Sequence, residues 1–160
     1  MGGSLLAIGG VGLVAWPTRR TFRPKRALLV LDEREFAILA AVAARTVGAP
    51  GADPAEIAHG SDLALSCNAP DAQKEFKQLL MLFENALAGL LLDGHLGAFT
   101  GLSPEKQDAV LAGWRDSGVA VRRTGYTALR KLTQAAYYAN PACWPQVGYA
   151  GPPQISQPSP

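Results

Sequence analysis

The stretch LSPEKQDAVLAGWRDSGVAVRRTGYTALRKLTQAAYYANPACWPQVGYAGPP, from Leu102 to Pro153, decides the fold. It holds a marked helix start, a long amphipathic segment and a stiff aromatic tail. Ser103 is a suitable N-cap, because a hydroxyl there accepts from a free backbone N–H of the first turn. Pro104 follows at N1, where a missing N–H costs nothing, and Glu105 suits the positive end of the helix dipole. From Trp114 onward, apolar or small residues recur at Gly118, Val121, Gly125, Ala128, Leu132 and Ala135. Steps of three and four place them on one helical stripe. Arg115, Arg122, Arg123, Arg130 and Lys131 fall mostly outside it, on a solvated face. Gly118 and Gly125 each cost about 1 kcal/mol against Ala in a helix. They imply close approach of another backbone or, at Gly118, a break between two helices. Tyr137-Tyr138 and Asn140-Pro141 close the helix, since the residue before proline is pushed out of the α region. In the tail that follows, prolines and glycines exclude regular structure. Trp144 and Tyr149 are large apolar groups there. They either fold back on this chain's own core or anchor a partner, since Trp and Tyr are enriched at interface hot spots.

Upstream, the same signals repeat. Asp32 with Glu35 forms a capping-box start, and Phe36, Leu39, Ala40 and Ala43 continue at helical spacing. Gly48-Ala49-Pro50-Gly51 ends that helix. Asp53-Pro54-Ala55-Glu56 opens a short second one carrying Ile57, Asp62, Leu63 and Leu65, with a thin apolar face. Asn68-Ala69-Pro70-Asp71 opens a third. Its residues Phe76, Leu79, Leu80, Phe83, Leu87, Leu90 and Leu91 make a wide apolar face. With Met81 and Leu82 added, residues 79–92 are apolar nearly all round, which predicts the central helix of a bundle. A membrane-active second half is the alternative, opposed by Glu84 and by Asp93-Gly94-His95. Strict apolar alternation is missing throughout. The expected fold is therefore all-α: a small bundle of about four to five helices with an irregular Pro/Gly/aromatic C-terminal tail.

The 160 residues suit one domain with a real core. Net charge is +2, unevenly placed. Residues 1–26 carry Arg19, Arg20, Arg23, Lys25 and Arg26 and no acid, whereas the rest of the chain is mildly acidic. That distribution gives no nucleic-acid footprint. Leu5 to Trp16 is apolar and uncharged, short for a spanning helix but the right length for the apolar core of a signal peptide. Targeting segment, membrane anchor and mobile tail all remain open for it. Thr18-Arg19-Arg20-Thr21-Phe22 imitates a twin-arginine motif, but the apolar stretch precedes the arginines instead of following them. The chain divides as residues 1–26, an apolar targeting or anchor-like segment with a basic linker; 27–153, a helical domain; and 154–160, a flexible tail.

Catalytic and metal-binding patterns were sought. His59, in Ala58-His59-Gly60, reads as exposed late in a short helix, and His95 as a helix-end cap. Neither has a partner at metal-ligand spacing. There is no Cys-x-x-Cys-His for covalent haem, no nucleotide-binding glycine loop and no nucleophile elbow. The sequence thus supplies no catalytic, cofactor-binding or metal-binding residue. Cys67 and Cys143 are either two thiols or, in an exported protein, one candidate disulfide, which would contribute about 2–4 kcal/mol and fix the aromatic tail.

Leu102-Ser103-Pro104-Glu105, a helix carrying Trp114, Tyr137-Tyr138, Trp144-Pro145 and Gly148-Tyr149-x-Gly151-Pro152-Pro153 resemble the gluconate 2-dehydrogenase subunit 3 family. The resemblance spans roughly residues 30–153 and is most specific at the C-terminal motif. It implies a non-catalytic small subunit that accompanies a flavin-dependent sugar or alcohol dehydrogenase of the glucose–methanol–choline (GMC) type. FAD would then sit in the partner, and a multihaem cytochrome c often forms a third subunit. It implies a periplasmic or periplasm-facing membrane location, with this chain stabilising or escorting the flavoprotein through twin-arginine export and supporting electron transfer. On this reading Met1 lies inside an export signal whose arginine pair is further upstream. Five positive charges after the apolar segment oppose translocation. The residues expected at the partner contact are Tyr137, Tyr138, Trp144, Tyr149, Gly151, Pro152 and Pro153. The alternative is a stand-alone helical membrane-associated protein, anchored by residues 4–16 and drawn to anionic lipid by the basic cluster at 19–26.

Overall fold

Helix-start chemistry sets the order of elements in the computed structural model, which describes residues 22–85 and 97–152. An extended N-terminal strap, residues 22–31, leads into α1 (Glu33–Thr46), α2 (Pro54–Ser66) and α3 (Pro70–Glu84). A short 3-10 helix, Phe99–Gly101, precedes α4 (Pro104–Arg115) and α5 (Ala120–Tyr138), and a second 3-10 helix covers Pro141–Val147. Among the described residues every regular element is helical. The all-α expectation holds. The apolar segment Leu5–Trp16, the twin-arginine look-alike apart from Phe22, residues 86–96 with His95, and Pro153 onward lie outside the described residues.

The expected caps form at α1 and α2. Asp32 accepts from Arg34 N and Glu35 N at 2.8 Å each, and Glu35 returns an acceptor to Asp32 N at 2.8 Å, completing the capping box. Asp53 caps α2 through Ala55 N at 2.9 Å, with Pro54 at the first helical position. At α4 the boundary is as expected, but the Ser103 side chain makes no cap bond. It helps its neighbour instead: the Glu105 backbone N–H, then the Ser103 hydroxyl, hold the Glu105 carboxyl below its usual range.

Among the described residues α1 is the central helix; the apolar run 79–92 expected in that role lies outside the described residues from residue 86 on. Nine consecutive residues of α1, Glu35 to Ala43, are buried, because α2, α3, α4 and α5 all pack around it. Its alanines let those neighbours approach closely. In α3 only Leu80, Phe83 and Glu84 are buried, and Leu82 is exposed. Glu84 is fully enclosed and accepts from Thr100 N at 3.0 Å and Thr100 Oγ1 at 2.6 Å. This joins the end of α3 to the first 3-10 helix and satisfies a carboxylate that would otherwise be costly to bury.

Gly118 is the break between two helices. It is exposed, and a Cβ there would meet nothing within 4 Å. The break resets the helical phase, so the stripe counted on from Trp114 does not carry through. The buried residues of α5 are Arg122, Gly125, Leu129, Thr133 and Tyr137, while Val121 and Ala135 face solvent. Arg122, expected on the solvated face, lies inside with its guanidinium 5.5 Å from the Trp114 ring centroid. Gly125 is the point of close approach: a Cβ there would stand 2.7 Å from Leu79 Cδ1 and 2.9 Å from Trp114 Cζ3.

Candidate functional site

The C-terminal module begins where α5 runs out at Tyr138. Asn140 accepts from Ala142 N at 3.0 Å, capping a 3-10 helix that runs through Pro145 to Val147. Regular structure was not expected in this Pro-rich segment. A 3-10 helix tolerates it because only two turns are needed, with Pro141 at the start where no N–H is required. Gly148, at φ +68°, supplies the left-handed residue that ends it, and Tyr149 N then donates to Trp144 O at 2.9 Å.

Side chains of this module divide into two sets. Tyr137, Cys143 and Trp144 pack inward, on Ala43, Val47 and Ile57. Tyr137 Oη donates to Gln146 Oε1 at 3.0 Å, Cys143 Sγ donates to Tyr137 O at 3.2 Å, and Trp144 Nε1 donates to Tyr138 O at 3.0 Å. Desolvation raises the Tyr137 phenol above its usual range, so it stays neutral and able to donate. Tyr138 and Tyr149 point the other way, 52% and 48% exposed, with Val147 at 51%. Each is braced by an inward neighbour: Tyr138 edge-on to Tyr137 and Tyr149 edge-on to Trp144, both at 5.2 Å between centroids. Gly151, at φ +103°, lies against the Trp144 ring, where a Cβ would come within 3.2 Å of Cζ3. Pro152 is exposed. The expected contact residues Tyr137, Tyr138, Trp144, Tyr149, Gly151 and Pro152 therefore form one small braced unit. Trp144 folds back and Tyr149 remains available.

Beside this unit a cleft of about 590 Å³ is lined by α2, the end of α5 and the second 3-10 helix. Cys67 and Cys143 both line it, as unbonded thiols, the first exposed and the second buried. Its floor is made by small residues such as Gly60, Ala64 and Ala136. Leu63, 59% exposed, stands on its rim.

The sequence reading missed the polar face of α2. His59 was expected to be exposed; it is 4% exposed, its ring 4.8 Å from Phe36. Its Nε2 accepts from Lys25 N at 3.1 Å. Asp62 is 2% exposed and accepts from Leu29, Val30 and Leu31 N at 2.7, 3.0 and 2.9 Å. Lys25 Nζ meets Asp53 at 2.7 Å and Arg26 meets Glu56 at 3.0 Å. The side-chain hydrogen bond with Lys25 holds the Asp53 carboxyl below its usual range, and that with Arg26 does the same for Glu56. The available signal was spacing: Asp53, Glu56, His59 and Asp62 recur every three residues, a polar ridge on a helix whose apolar face was thin.

Among the described residues no three His, Cys, Asp or Glu side chains gather as a metal site, and no helix is long and apolar enough to cross a membrane. No match to the chain is found among curated proteins or among solved structures. The family described as gluconate 2-dehydrogenase subunit 3 matches residues 33–151, from the start of α1 to the glycine packed on Trp144. The chain belongs to the gluconate 2-dehydrogenase subunit 3 family, whose name makes its members subunits of a dehydrogenase complex.

Proposed function

We propose that this chain is a non-catalytic small subunit that binds a GMC-type flavoprotein dehydrogenase through its C-terminal module. The observation carrying this reading is the half-exposure of Tyr138, Val147 and Tyr149 on a segment whose backbone and neighbouring side chains are otherwise pinned. Large rings held in place in water favour association, because their ordering cost has already been met before a partner arrives. Family membership supports the partner's being a dehydrogenase subunit. On this reading FAD belongs to the flavoprotein and haem c, where there is one, to a third subunit. This chain binds neither. Its work is to stabilise the flavoprotein, to accompany it during export to the periplasm and to shape the route to the electron acceptor.

The membrane-associated alternative rests on residues 4–16, which lie outside the described residues, and on the basic cluster at 19–26. Two of its charges, Lys25 and Arg26, are already engaged by Asp53 and Glu56, which weakens the case for a lipid surface. The test is native purification of the chain through a C-terminal tag, with an absorption spectrum of the product. A stoichiometric large subunit with flavin bands is expected, and haem bands would add the cytochrome. A colourless, partner-free chain from cells that express the flavoprotein would overturn the proposal.

A further inference from the structure

The strap, residues 22–31, lies on α1 and α2; beside the ion pairs of Lys25 and Arg26 and the bond from Lys77 Nζ to Val30 O, its backbone N–H groups are held at two points of different chemistry. At residues 29–31 the Asp62 carboxylate takes three successive backbone N–H groups. At Lys25 the backbone N–H goes to His59 Nε2, which is an acceptor only in the neutral imidazole. Phe22, ahead of Lys25, and Leu28, between the two points, pack on the cluster of Phe36, Ala40, Ala55 and Ala58. We infer that residues 22–28 are an acid-released latch, opened when His59 takes up a proton on Nε2 and hinged where Asp62 grips residues 29–31.

Protonation places an N–H on His59 opposite the Lys25 N–H, so the bond is lost and two donors face each other. The charge would also be buried, 4% exposed, against the Phe36 ring that α1 presents. The charged groups around it are Arg26 and Lys25 on the strap, which oppose a further positive charge, and Glu56 and Asp62 on α2, which favour it. Burial, then Arg26, outweigh the two carboxylates and hold the imidazole below 6.5, its ordinary value. The sign follows. A group that prefers to be neutral when the latch is closed leaves the latch fully closed above 6.5 and weakens it as pH falls below that value, until the imidazole of the closed state is itself protonated. Within that window, one proton taken up on opening changes the equilibrium by about tenfold per pH unit.

The test is amide hydrogen exchange of the full chain, read by NMR and corrected for intrinsic rates, at about pH 7.5 and about pH 5, where an unperturbed imidazole passes from neutral to charged. Protection at Lys25 is expected to fall between these pH values, while Leu29 to Leu31 and the core amide of Leu129 keep theirs. His59→Gln retains an acceptor that does not titrate, and its Lys25 protection should not depend on pH. Equal wild-type protection at Lys25 at both pH values would overturn the inference. So would an identical pH-dependent loss in His59→Gln, or a loss at Leu129 in parallel with Lys25, which would mean global acid unfolding. Should His59→Gln fail to fold, the wild-type imidazole resonance decides. Its titration midpoint must coincide with the midpoint of Lys25 exposure, and a separate midpoint would overturn the latch.

Discussion

The two ends of the described chain are attached to the bundle by opposite means. The N-terminal strap is held by polar side chains of α2 that grip its backbone, with Asp62 sealed from water. The C-terminal module is held by rings and a thiol on an apolar cluster, and it leaves Tyr138, Val147 and Tyr149 half in water. A backbone grip consumes the strap's donors, although Leu29 on it stays 62% exposed. A ring packed on one side still has an edge or face to offer. The contrast supports the proposal that the first end holds and the second associates.

Asp62→Ala attacks the holding end most severely. It leaves up to three strap N–H groups without acceptors, and a loss of about 3–5 kcal/mol is expected in urea unfolding. A loss below about 1 kcal/mol, the scale of an ordinary solvated hydrogen bond, would show that water replaces the carboxylate and that the strap is only laid on the surface. Trp144→Ala is the matching change at the other end. It removes a half-buried ring and its bond to Tyr138 O, and about 2–3 kcal/mol of stability should go. Partner affinity should fall with it, because Tyr149 loses its brace.

Gly151→Ala sharpens the comparison at lower cost. The residue sits at φ +103° and against Trp144, so about 1 kcal/mol of local strain is expected. It should appear as faster exchange confined to residues near the tail. A global shift in the urea midpoint would contradict the division into two independently attached ends. Smallest of all is Lys25→Ala. It removes the exposed ion pair with Asp53 but keeps the backbone bond to His59. The urea midpoint should stay where it is and any change in strap exchange should vanish with added salt. A salt-independent loss would move the weight of the strap from its backbone to its charges.

Helix starts were the most legible feature of the sequence, because Asp32, Asp53-Pro54 and Ser103-Pro104 mark them with local chemistry alone. The family was legible from the C-terminal motif. Helix phase across a break was not, since Gly118 is compatible with both continuation and interruption; the stripe on α5 was consequently drawn through Val121 rather than Arg122. Among the described residues the centre of the bundle is α1. Leucine-rich α3 looks more buried than alanine-rich α1, yet alanine is what lets four neighbours close around a helix. The roles of His59 and Asp62 were hidden because their partners are backbone amides more than thirty residues away, which side-chain patterning does not reveal. For the candidate site, the sequence singled out a segment, but only packing could divide it into Tyr137 and Trp144 facing in and Tyr138 and Tyr149 facing out.

That division can be measured directly. Tyr138→Ala with Tyr149→Ala, made in the chain co-expressed with the proposed flavoprotein partner, removes the outward rings and leaves Tyr137, Cys143 and Trp144 on the apolar cluster. The urea midpoint of the purified small subunit should stay close to wild type, while affinity for the flavoprotein falls by about 30-fold or more, the loss of about 2 kcal/mol or more that marks an interface hot spot. Undiminished affinity with both rings gone would contradict the assignment of this face to the partner.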